Sequence, residues 1–92
     1  MSDEPIRRRL VVQGRVQGVF FRDSIRETAR NEGVSGWAAN RDDGAVEVVL
    51  EGPPEAVQAV AEFGRLGPVS AQVGRVEESD ESPEGLEGFE IR

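Results

Sequence analysis

RRRLVVQGRVQGVFFRDSIRETARNEG, residues 7–33, changes its period partway through. From Arg7 to Gln13 the residues alternate. Leu10 and Val12 fall on one side, and Arg9, Val11 and Gln13 on the other, which is the two-residue period of a strand. Gly14-Arg15-Val16-Gln17-Gly18-Val19 then reads as a glycine-bounded loop. From Phe21 onward, Phe21, Ile25, Thr28 and Ala29 recur at helical spacing, with Asp23, Glu27 and Arg30 between them, and Gly33 supplies a stop. Strand, short loop and helix therefore follow one another within 27 residues.

Outward from this unit the same reading continues. Residues 1–6 are expected to form a flexible arm, and 7–92 a single domain. Ser35 to Asn40 reads as a short strand containing Trp37, and Arg41-Asp42-Asp43-Gly44 as a hairpin turn. Val46, Val48 and Leu50 alternate with Glu47, Val49 and Glu51 in a half-buried strand. Gly52-Pro53-Pro54 opens a second helix whose inner stripe is Val57, Val60, Ala61 and Gly64, and Gly67-Pro68 ends it. Ser70 to Glu77 is expected as a strand, the acidic 78–87 stretch as a loop, and Phe89 to Ile91 as a short last strand. The order predicts an α+β, ferredoxin-like two-layer sandwich: a βαββαβ core plus a short fifth strand, with both helices on one face of an antiparallel sheet. Arg9, Gln13, Glu47 and Glu51 are then expected on the water-facing side, and Arg7-Arg8-Arg9 as a solvated strand start.

Composition narrows the chemistry. The 92 residues include 18 acidic and 11 basic ones, for a net charge of −7. All the basic residues are Arg, a bias for which a GC-rich genome and adaptation to salt are competing causes. A polyanion partner is disfavoured, because nucleic acid binding requires clustered positive charge. Cys and His both number 0, which excludes disulfides and removes the usual zinc, copper and iron ligands. Nothing spaces Asp and Glu as a calcium loop does, and no apolar run approaches membrane-spanning length. The acidic N-terminus carries no signal region. A cytoplasmic monomer without metal, cofactor, membrane or nucleic acid partner is expected.

With His, Cys, Lys and Tyr all absent, the common general bases near neutral pH are gone. A Ser nucleophile would have no His or Lys partner. Any reaction must rest on binding charge and positioning reactants. The Gly14–Val19 loop meets a helix start, where backbone N–H groups can cradle a tetrahedral anion. Arg22 stands in the first helical turn, where the macrodipole disfavours a cation by roughly 0.3–1 kcal/mol. Two readings fit it: pairing with a nearby carboxylate such as Asp23, or gripping an anion through its planar fork. Asn40 is either a turn initiator or an amide that orients a water. Arg15 adds positive potential to the loop or is simply solvated. Phe20, Phe21 and Phe63 are expected in the core, and Trp37 as a packing residue in the hairpin.

Gly14-Arg15-Val16-Gln17-Gly18-Val19-Phe20-Phe21-Arg22 resembles the first signature of the acylphosphatase family. Gly36-Trp37-Ala38-Ala39-Asn40, followed by Gly44, Val46 and Gly52, resembles the second, and Gly88-Phe89-Glu90-Ile91-Arg92 looks like the family's last strand. The resemblance covers about Arg7 to Arg92. Ala38 and Ala39 occupy loosely specified positions, and the long acidic stretch before Phe89 is unusual. The resemblance implies a five-stranded sheet with two helices and metal-free hydrolysis of acyl phosphates to carboxylate and inorganic phosphate. It implies that Arg22 binds phosphate, that Asn40 orients water, and that Arg15, Val16, Gln17, Gly18 and Val19 form the cradle. The alternatives are a non-catalytic phosphate-binding regulatory module of the same fold and an acylphosphatase-like domain of a larger carbamoyl-transfer maturation protein. Because the chain stops at Arg92, directly after the last strand, a stand-alone enzyme is expected.

Overall fold

The computed structural model describes residues 4–92. Its elements are β1 (Ile6–Arg15), α1 (Phe21–Glu32), β2 (Ser35–Asn40), β3 (Val46–Gly52), α2 (Pro54–Leu66), β4 (Gln72–Glu81) and β5 (Phe89–Ile91). The strands form one sheet in the order β4-β1-β3-β2-β5. Leu10 and Val12 of β1 join Val46, Val48 and Leu50 of β3 in a buried core. That core also takes in Phe21, Ile25 and Ala29 of α1 and Val57, Val60 and Ala61 of α2. Both helices thus cover one face, as the ferredoxin-like pattern requires. Gly64, also on the α2 stripe, is buried; a Cβ there would stand 3.0 Å from Leu10 Cδ1.

Four expectations need correction. The sheet is mixed, because β5 pairs in parallel with β2. β4 ends beside the start of β1. The chain then crosses that end of the sheet to the far edge, so β5 has to run in the same direction as β2. Strand β4 also extends further than expected, from Gln72 to Glu81. Its acidic end pairs Glu81, Asp80 and Ser79 with Arg7, Arg8 and Arg9 of β1, so opposite charges across the ladder offset the acidic run.

The outer face is less wet than its charges suggest. Arg7 and Glu51 are buried, at 5 % and 4 % exposure. Arg7 Nη1 donates to Glu51 Oε2 at 2.7 Å, and Arg7 Nε to Glu81 Oε1 at 2.8 Å. The Glu51 carboxylate also accepts from the backbone N–H groups of Glu84, Gly85 and Leu86 at 3.0–3.1 Å. It fastens the 82–88 crossing to the sheet. Beside it, Val49 is fully buried beneath Arg9 and Trp37, its register partners on either side. The Arg9 and Arg92 guanidiniums lie 5.6 and 4.7 Å from the Trp37 ring centroid. Of the phenylalanines, Phe21 is buried and Phe63 partly so, but Phe20 is 74 % exposed.

At the N-terminus, β1 begins at Ile6, opposite Gly52. Of the stretch expected as an arm, residues 1–3 lie outside the described residues. Among the described residues no helix is long and apolar enough to cross a membrane.

Candidate active site

The loop between β1 and α1 is shaped by two glycines. β1 carries a bulge at Gln13/Gly14. Gly14 has φ +130°, and a Cβ there would stand 2.3 Å from the Gln72 carbonyl oxygen, so no larger residue fits against β4. Gly18 turns the chain with φ +72° in open space. Between them, Val16 is buried and anchors the loop in the core, while Arg15 stays exposed.

Two ties hold the loop at its flanks. On one side Gln17 Nε2 donates to the Arg41 and Ala45 carbonyls at 2.7 and 2.9 Å. On the other, Ser70 Oγ donates to the Val19 carbonyl at 2.6 Å. Both ties use a side-chain donor and a carbonyl, and neither uses a loop N–H. The Gln17 side chain is therefore a strut, and only its backbone is available to a ligand. Residue type alone gave no sign of either tie.

Arg22 occupies the first turn of α1. The expected alternative partner, Asp23, pairs instead with Arg26 at 3.2 Å. Arg22 Nη1 donates to the Arg92 carbonyl at 3.1 Å. Among the described residues Arg15, Arg22 and Arg30 make no ion pair, whereas the other arginines do. Arg30 lies at the far end of α1 and donates to the Phe89 carbonyl. Two arginines that lack a carboxylate thus bracket the loop of an acidic protein.

Asn40 ends β2, exposed and opposite Val46. Its turn is built without it: Arg41 N–H donates to the Ala45 carbonyl, and Asp43 Oδ1 accepts from Ala45 N–H. The amide is therefore not used as a turn initiator. One route ties its strand to Arg22, since Arg92 N–H donates to the Ala38 carbonyl at 2.8 Å while Arg92 O accepts from Arg22. A second route ties the following residue, Arg41, to the loop through Gln17. Asn40 is bracketed by these two routes, so Arg22, Asn40 and the 15–19 loop meet at one end of the sheet.

A cavity of about 340 Å³ lined by Arg8, Gln58, Arg65 and Glu78 lies on another surface. It is no rival anion site, because Arg8 and Arg65 are already paired with Asp80 and Glu78. Among the described residues no group of three or more Asp or Glu is arranged to hold a metal.

The acylphosphatase family model matches residues 8–91. A relative from Natronomonas pharaonis named acylphosphatase is 48% identical over 92 residues, covering 100% of this chain and 99% of its own. One from Haloarcula marismortui with the same name is 50% identical over 86 residues, 94% of each chain. Among solved structures, an acylphosphatase from Bacillus subtilis superposes with a TM-score of 0.91 at 38% identity, covering 95% of this chain and 98% of its own.

Proposed function

The chain belongs to the acylphosphatase family, and on that premise we propose that it hydrolyses acyl phosphates to a carboxylate and inorganic phosphate. The observation that carries the reading is the pair Arg15 and Arg22, which among the described residues have no carboxylate partner, around an open loop in a chain of net charge −7. A phosphoryl group supplies the missing negative charge. It also satisfies the helix start, whose dipole opposes Arg22 while no anion is bound.

In the proposed mechanism, Arg22 and the N–H groups of residues 15–19 hold the phosphoryl oxygens. Asn40 orients a water in line with the bond to be broken. The water oxygen forms a bond to phosphorus, the P–O bond to the acyl group breaks, and the bonding pair leaves on the carboxylate. The proton lost by water passes to a phosphoryl oxygen, so the products are carboxylate and dihydrogen phosphate. A carboxylate leaves without protonation, which suits a chain lacking His, Cys, Lys and Tyr. Phosphoryl transfer of this kind asks mainly for position and charge. Guanidinium and N–H groups provide both, and the reading requires no metal.

The test is release of phosphate from acetyl phosphate, followed continuously with and without a chelator. Many equivalents per chain, unchanged by the chelator, are expected. Release of one equivalent or fewer would instead identify a binding module, and loss of activity on chelation would overturn the metal-free mechanism.

A further inference from the structure

Among the described residues three large apolar side chains stand in water: Phe20 at 74% exposure, Leu66 at 77% and Val69 at 106%. They share one neighbourhood. Phe20 closes the loop before α1, Leu66 ends α2, and Val69 lies in the turn that follows. Ser70 Oγ bonds the Val19 carbonyl at 2.6 Å. Gly67 lies against the Phe21 ring, where a Cβ would stand 3.2 Å from Phe21 Cε2. The two segments therefore adjoin beside the phosphate loop.

Phe20 is unusual in its backbone as well. It has φ 62°, ψ 23°, and is the only non-glycine residue with positive φ among the described residues. For a bulky aromatic this left-handed conformation is an outlier, of the kind that persists where a site needs it. Phe21 next to it is buried. The chain strains Phe20 and leaves its ring exposed, with no packing gain inside the fold.

The chemistry supplies a use for that ring. In-line displacement sets the entering and leaving oxygens on opposite sides of phosphorus. The loop has two flanks, one tied through Gln17 to the Asn40 turn and the other through Val19 to the Val69 turn. With water on the Asn40 flank, the leaving carboxylate and its acyl group lie on the flank of Phe20, Leu66 and Val69. We propose that these three side chains form an acyl subsite, so that the protein prefers acyl phosphates with apolar chains of several carbons. The inference rests on the reaction proposed above and names its substrate class.

The test compares kcat/KM for hexanoyl phosphate and acetyl phosphate. Their leaving carboxylates are of similar basicity, so the ratio isolates contact with the acyl chain. Wild-type protein is expected to favour hexanoyl phosphate by about tenfold or more, the scale of a few methylenes in an apolar site. Phe20→Asn, which keeps a residue tolerant of the left-handed conformation, should lower the ratio at least about threefold. The separate Leu66→Ser/Val69→Ser variant, changed only at exposed positions, should do the same. A wild-type ratio near one, or variants that slow both substrates equally, would overturn the subsite. Loss of a dimer in Leu66→Ser/Val69→Ser with an unchanged ratio would overturn it in favour of a second copy. Failure of the wild-type chain to turn over either substrate is a distinct result, which removes the reaction itself and the subsite with it.

Discussion

Among the described residues Arg22 has no acidic partner, and Asn40 leaves its amide out of the turn it precedes. These two residues carry the proposed chemistry, and their roles separate by experiment. Asn40→Ala is expected to lower kcat at least ~10-fold, within the range typical of lost positioning or polar stabilisation. Its inhibition by inorganic phosphate should stay nearly unchanged, because the assigned partner of Asn40 is water. Equal damage to phosphate inhibition would make Asn40 a binding residue. A second expectation concerns pH: kcat should be flat between about pH 6 and 8, since no side chain present has an unperturbed pKa there. Among the described residues the two carboxyls that the fold clearly shifts, Glu51 and Glu81, both move down, away from neutrality. A steep rise of kcat with pH in a steady-state profile would reveal a base. Arg22 and Asn40 were legible as candidates because both fall within long signatures. The strut role of Gln17 was not, because its acceptors lie 24 and 28 residues away and come beside it only when the sheet forms.

Among the elements, β1, α1, β3 and α2 follow from periodicity, since each sends an apolar stripe into the shared core, although β1 and β3 also bury Arg7, Val49 and Glu51 on the outer face. β4 and the crossing after it do not. Strict alternation put Glu51 on the outward face, and that parity is correct. What buries it is the 82–88 segment, which arrives over 30 residues later, a covering that local pattern cannot show. Burial pushes the Glu51 carboxyl up, but the Glu84 N–H, the Arg7 guanidinium and the Leu86 and Gly85 N–H groups together hold it below its ordinary value of 4.5. Glu51→Ala leaves those N–H groups without their acceptor and removes one partner of a buried ion pair. A loss of about 3–5 kcal/mol is expected, measured by urea unfolding. A loss below about 1 kcal/mol, the range of an exposed pair, would mean that the clasp contributes little. The length of β4 was hidden for a related reason. Glu78, Asp80 and Glu81 resemble a solvated loop until the ladder sets Asp80 and Glu81 across from Arg8 and Arg7.

For the molecule as a whole, charge sets the pH range of stability. Hydrogen bonds from Arg9 and then Arg7 take the Glu81 carboxyl down to about 2, and Glu51 is also lowered. Groups with depressed pKa stabilise the fold fully above their unfolded value and lose that contribution as pH falls through the folded one. The thermal midpoint should therefore hold from neutral pH to about 5 and fall as pH drops further towards 2. A midpoint that rose across that acid range would show that relief of acidic self-repulsion dominates instead. Within a net charge of −7, the Arg15–Arg22 loop carries two arginines with no ion pair among the described residues, and this is the core of the functional account. The measurement that tests it most directly is the steady-state hydrolysis of acetyl phosphate by the wild-type chain and by Arg22→Ala, with folding of the variant verified by circular dichroism. The account predicts a loss of at least ~10²-fold in kcat/KM for Arg22→Ala, as for removal of a preorganised charge-stabilising group; near-wild-type activity in the folded variant would contradict it.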